Sequence, residues 1–163
     1  MIAFVGAFNP STITTPTGWT LLTQTTWQSS SYSSGFLYRV ASGSEPATYA
    51  FTNGSNYNYG YISTYRGASQ IDVSGTITEV SGTSMTFTGI TSSANSLLLA
   101  CIHDRDDISL TQPSGMTSRI NSQSGFIWRA GLADLANASS ANRTWTASSS
   151  STNGCGLLVS IKA

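Results

Sequence analysis

The chain has 163 residues, seven Lys and Arg against seven Asp and Glu, and only 9% charged residues, where an ordinary soluble domain carries roughly 25%. That length suits one domain with its own core, and the zero net charge leaves no electrostatic footprint for nucleic acid or for an anionic membrane. No apolar span is long enough to cross a bilayer as a helix and no basic-then-apolar leader follows Met1, so a soluble chain without a visible export signal is expected.

Taken in order, Met1 to Ala7 (MIAFVGA) is an apolar strand, and Phe8 to Gly18 is a loop with Asn9-Pro10 and Pro16-Thr17-Gly18. Trp19 to Trp27 alternates and leads through a Ser-rich connection, Gln28 to Ser34, into the stretch Gly35 to Ala68. That stretch predicts three strands and two turns. Phe36, Tyr38 and Val40 alternate with Leu37, Arg39 and Ala41 before the turn formers Ser42 to Pro46; Tyr49 and Phe51 alternate with Thr48 and Ala50 before Asn53 to Asn56; Tyr59 to Arg66 closes the set. Two further Thr-rich strands, Ile71 to Val80 and Met85 to Ile90, are separated by Ser81-Gly82-Thr83, and Leu97 to Ile102 is fully apolar. No stretch has 3.6-residue periodicity with caps, so helix content should be near zero.

The second half repeats the first. Pro113-Ser114-Gly115-Met116-Thr117 falls on Pro16-Thr17-Gly18-Trp19-Thr20 at an offset of 113 − 16 = 97, and Gly156 to Lys162 falls on Gly60 to Arg66 at 156 − 60 = 96. The expected fold is therefore all-β: one antiparallel β-sandwich, jelly-roll-like, spanning 1–163, with pseudo-repeated halves at about 2–67 and 97–163 linked by 68–96. Its core should include Phe4, Trp19, Tyr38, Phe51, Ile62, Leu99, Met116, Trp145 and Leu158. Cys101 and Cys155 read more simply as small buried residues than as a disulfide framework.

Chemistry-bearing residues are few. His103-Asp104-Arg105-Asp106-Asp107 gathers the only histidine with three acids, which makes Asp104, Asp106 and Asp107 weak Ca²⁺ candidates; Arg105 in their midst and the lack of a second acidic element favour a solvated or Arg-paired loop and no metal. One histidine without a G-x-S-x-G elbow offers little for a hydrolase, while two carboxylates for glycoside cleavage are conceivable from Glu45, Glu79 and the Asp cluster. No catalytic residue and no cofactor is expected. Tyr57, Tyr59 and Tyr61, with Asn53, Asn56 and Asn58 beside them, make either an aromatic and amide surface for sugar or protein or the buried face of a strand.

PTGWTLL (16–22), YRVASGSEPATYAFT (38–52), ISTYRGA (62–68), SLLLACI (96–102) and QPSGMTSR (112–119) together resemble a domain of tailed-phage and prophage virion proteins, whose pattern looks like PxGW, YRVASGxEPATYTFT, AYRGV, LLVA and PxGMT. The resemblance runs in order from near Met1 to Lys162. It implies a non-enzymatic antiparallel sandwich on tail fibres, baseplates or capsid surfaces, with no catalytic residue to carry over, and it places Glu45 in the family's Ser-Glu-Pro turn, where a structural hydrogen bond is its plainer role. For a single domain without a fibrous or coiled anchor, a capsid decoration or cement protein on the outer head surface is the first expectation. Its partners would be the major capsid protein and further copies of itself, for instance as a trimer, and it would reside in the virion, assembled in the host cytoplasm. The second expectation is a tail-fibre or baseplate module that recognises host surface glycan or protein. The family places another strand before the run that here begins at Ile2. Met85 to Ile90 supplies one before the second apolar run, so two readings stand for Ile2, Ala3, Phe4 and Val5: an unpaired edge that seeks a strand from a neighbour, or a run that lies centrally against strands of its own chain, buried on both faces.

Overall fold

The computed structural model describes residues 1–8, 12–52, 58–124 and 128–162, and among them the protein is all-β, with antiparallel pairing throughout and no helix, the β-sandwich class expected from the sequence. The chain divides into two compact units, Met1–Ala68 and Ser69–Ala163.

In the first unit, β1 (Ile2–Phe8), β2 (Thr20–Trp27), β3 (Tyr32–Tyr38) and β4 (Asn58–Ser63) form a sheet of order β2-β3-β1-β4. Period-2 alternation sends Ala3 and Val5 to one face of β1, where they pack with Leu37, Ile13 and Trp19. Ile2 and Phe4 point to the other face and are buried as well. A strand buried on both faces reads as a continuous apolar run, which is why this one does. β1 is thus central: Ile2 lies opposite Tyr38 of β3 and Ser63 of β4, and Val5 opposite Gly35 and Gly60. The free-edge reading of Ile2 to Val5 is corrected by this pairing, because both flanks of the run are laddered by its own chain.

The second unit contains β5 (Gln70–Ser74), β6 (Thr78–Phe87), β7 (Ser96–Asp104), β8 (Leu110–Thr111), β9 (Thr117–Ser124), β10 (Trp128–Ala136) and β11 (Arg143–Lys162). The 20-residue β11 organises it. Its first part pairs with β6 and β8; register shifts between Thr146, Ser151 and Gly154 bend it; its last part pairs with β7, and with β5 near its end. The bend lets one strand serve two layers. Met85, Phe87, Trp145 and Leu110 from one layer meet Leu98, Ala100, Ile102, Ala133 and Leu158 from the other in a single core.

Several expectations are adjusted here. Ser81-Gly82-Thr83 does not separate two strands; Gly82, at φ 85°, lies at the register shift opposite Ser151 and bends the continuous strand β6. Met85 and Phe87 pair with β11, so the strand preceding the second apolar run does not flank that run. Tyr49 to Phe51 is not a strand: Thr52 makes one bridge to Thr14, and nothing ladders the segment's other side among the described residues. Of the predicted core, Phe4, Trp19, Leu99, Met116, Trp145 and Leu158 are buried and Tyr38 and Phe51 half-buried, whereas Ile62, on edge strand β4, is 41% exposed. Cys101 and Cys155 are buried and not joined in a disulfide.

The two units share local geometry. Val5 sits between Gly35 and Gly60 as Ile102 sits between Gly131 and Gly156. β2 skips a residue between Leu21 and Thr23, as β9 does between Ser118 and Ile120. The Pro-x-Gly turns close with Trp19 N–H on Pro16 O and Met116 N–H on Pro113 O, both 3.0 Å, and Gly18 and Gly115 have φ of 79° and 78°, values that glycine adopts without strain.

Candidate functional site

The long motif Tyr38 to Thr52 leaves the sheet at the end of β3 and returns across the Pro-x-Gly turn. Arg39 N–H donates to Met1 O (3.0 Å), and the Met1 ammonium donates to Arg39 O (2.7 Å). The turn at Ser42 to Ser44 then brings Glu45 back to Arg39. Nε of Arg39 stands 2.9 Å from one carboxylate oxygen and Nη2 donates to the other at 3.3 Å, while Nη1 donates to Thr17 O at 3.1 Å. Ser42 N–H and the Tyr49 hydroxyl also donate to Glu45. The Arg39 guanidinium lies 5.6 Å from the Tyr49 ring centroid, and Tyr49 and Phe51 each meet Trp19 edge-on at 5.2 Å.

The electrostatics follow from these contacts. The Ser42 backbone N–H, ahead of the Ser42 and Arg39 side chains, holds the Glu45 carboxyl below its ordinary range, with desolvation opposing. Burial pushes the Met1 amino group down, opposed by the Glu45 charge. A carboxylate saturated by donors in this way is a poor proton acceptor, so Glu45 braces the turn, the role the resemblance implied. Glu45→Ala is expected to lower the thermal midpoint by roughly 3 °C. Because the native pKa is depressed, the stabilisation is present above the unfolded-state pKa of about 4.3 and is lost as pH falls through the native value. Thermal melts of both proteins at pH 7 and pH 3 check this; an equal gap at both pH values would refute it.

The acidic loop does not assemble a metal shell. Asp104 is buried and accepts from Ser151 Oγ (2.6 Å) and Asp106 N–H (2.8 Å). Asp106 accepts from Thr152 N–H (2.6 Å) and Thr152 Oγ1 (3.1 Å), and Asp107 from Arg129 Nη2 (2.6 Å) and Gln123 Nε2 (3.2 Å). Burial works against ionisation of Asp106, but its hydrogen bonds, first that from Thr152 N–H, outweigh burial and hold its pKa low. Among the described residues no group of three or more His, Cys, Asp or Glu side chains converges on a common point. The loop instead clamps the bend of β11, a role whose only sequence signal was the cluster itself.

The aromatic candidates divide. Asn53, Asn56 and Tyr57 lie outside the described residues. Tyr59 is buried over Gly6, with its hydroxyl 3.3 Å from Ser34 Oγ, which accepts from Trp27 Nε1 at 3.0 Å. Tyr61 is half-buried edge-on against Phe4, with centroids 6.2 Å apart. Tyr59 is thus a packing residue and not part of a recognition surface, because β4 faces it inward opposite Gly6, the one β1 position without a side chain to fill the space. Asn58 is exposed.

Two features had no sequence signal. Asp72 of β5 accepts from Ser93 N–H (2.7 Å) and from the hydroxyls of Ser93 (2.6 Å), Ser160 (2.9 Å) and Ser96 (3.0 Å), tying β5, β7 and β11 together. These bonds, led by the Ser93 hydroxyl, hold its pKa far below the carboxylate range. A cleft of about 630 Å³ lies between Thr111 to Gly115 and the segment Asn142 to Thr146 that enters β11. There the Arg143 guanidinium donates to Asn142 O (3.2 Å) and Ser139 O (3.3 Å).

Comparison with family models, with curated proteins and with solved structures found no match to this chain.

Proposed function

We propose that the protein is a non-enzymatic structural protein of a tailed-phage virion, held on the outer head surface as a capsid decoration or cement protein. The observation that carries this reading is the ordered resemblance along the chain, above all YRVASGSEPATYAFT at 38–52. The most distinctive polar residues of that motif, Arg39, Glu45 and Tyr49, are spent on one another, as suits a building block. The acidic-loop carboxylates Asp104, Asp106 and Asp107 are likewise engaged by protein donors. Polar but weakly charged surfaces suit a protein retained by contacts with the major capsid protein and with further copies of itself.

Copy number separates head from tail. Quantitative mass spectrometry of purified particles of the phage that encodes the chain is expected to find hundreds of copies per particle, in step with the major capsid protein. A handful per particle would place it on the tail as a receptor-binding module, and absence from particles would remove the virion reading altogether.

A further inference from the structure

The shared geometry of the two units exposes one difference with a structural consequence. In the second unit the start of β11 is flanked on both sides: Thr146 lies opposite Thr111 of β8, while Arg143 and Trp145 lie opposite Phe87 and Met85 of β6. In the first unit Thr52 lies opposite Thr14 in the same sense, with Thr14 N–H donating to Thr52 O at 2.7 Å. Strand backbone groups alternate in direction, so Tyr49 and Phe51 aim theirs away from Thr14, to the side that β6 occupies in the other unit. Among the described residues nothing pairs with the backbone of Tyr49 or Phe51. The side chains carry the same mark: Trp145 is fully buried, whereas Tyr49 and Phe51 are half-buried between exposed Thr48, Ala50 and Thr52.

We propose that the open flank of Thr48 to Thr52 docks an extended β-strand from a different protein, uncharged and with bulky apolar side chains two residues apart, in the manner in which β6 docks on β11. Unpaired backbone groups beside an apolar cluster are the setting for strand addition, where the main chain supplies affinity and alternate side chains supply selectivity. β6 specifies the chemistry of the occupant: Met85 and Phe87 enter the core while Ser84 and Thr86 face outward. A second copy of this chain is a poor donor, because its matching strand is already laddered along its own β11. The inference rests on the geometry of the two units and stands apart from the virion reading.

The test uses the full chain and the synthetic peptide Thr83 to Ile90 (TSMTFTGI), followed by NMR and amide hydrogen exchange. Binding is expected to shift the amides of 48–52 and the Trp19 indole, and to slow exchange at Tyr49 and Phe51. A peptide N-methylated at Met85 and Phe87, the two positions that would donate across the flank, should bind about tenfold more weakly, as loss of two backbone hydrogen bonds implies. No shift at millimolar peptide, equal binding by the N-methylated peptide, or Tyr49 and Phe51 amides already protected in the free monomer would each overturn the proposal. Concentration-dependent self-association that protects the same amides would assign the flank to a second copy and overturn it too.

Discussion

Gly156→Ala is expected to destabilise the second unit by about 3 kcal/mol or more, the upper end of what overpacking a filled core costs. A Cβ at Gly156 would lie 2.2 Å from Cys101 O and 2.5 Å from Phe87 Cζ. The Phe87 ring could turn, but the Cys101 carbonyl belongs to β7, the central neighbour of β11, and can yield only by distorting the ladder. Gly131→Ala makes a useful contrast. Its Cβ would meet Ile102 Cγ2 at 2.7 Å and the Trp145 ring at 2.7 and 2.9 Å, all side-chain atoms. It should cost about 1–2 kcal/mol, and adding Trp145→Phe should recover part of that through the shared space, a non-additive pair. Phe87→Leu should not rescue Gly156→Ala. Urea unfolding of the four variants decides it: a Gly156→Ala protein as stable as the parent would mean that the β7–β11 spacing is looser than this packing requires.

Asp104→Asn is expected to stabilise the protein at pH 7 by about 1–3 kcal/mol and to make no difference at pH 4. Asp104 is fully buried at the end of β7. Burial pushes its pKa up to about 6; the Ser151 and Asp106 N–H hydrogen bonds pull against that, the Asp106 charge adds to it and the Arg129 charge opposes it. The native pKa lies above the unfolded value of about 3.9, so between the two the folded state holds a proton that the unfolded chain has released. Stability from this group is therefore complete below about pH 4, falls as pH rises to about 6 and is constant above. Asparagine mimics the protonated form: its oxygen can accept from Asp106 N–H and its amide can donate to Ser151 Oγ. Asp72, Asp106 and Glu45, with depressed pKa values, act with the opposite sign at lower pH. The stability difference between parent and variant across pH 4 to 7 isolates Asp104; a flat difference, or a less stable variant at pH 7, would disprove the assignment.

How much of this was legible varies by residue. Phe4, Leu99 and Leu158 were readable as core because an apolar run without alternation must be buried on both faces. The role of Glu45 was legible only through the resemblance, whose Ser-Glu-Pro turn implies a structural hydrogen bond; the residues that bond it, Arg39, Ser42 and Tyr49, were not named by it. Tyr59 was not, because strand alternation leaves open which face is the inner one, and that depended on Gly6 lying opposite. Asp72 was invisible because Ser93, Ser96 and Ser160, its partners, are ordinary serines among many.

What the sequence by itself determined is the all-β class, the Pro-x-Gly turns and the recurrence of one pattern at offsets of 96 and 97, since turn chemistry and period-2 patterning act over a few residues. Strand partners were decided by tertiary structure alone. Ile2 to Val5, readable from the sequence either as an edge or as a central run, is central, and Tyr49 to Phe51, expected as a strand, was left with an open flank among the described residues. The reason is that a β-strand is completed by hydrogen bonds to residues distant in sequence: the same alternation is a strand in β11, where β6 and β8 stand on either side, and an unladdered segment at 49–51, where one side is empty among the described residues.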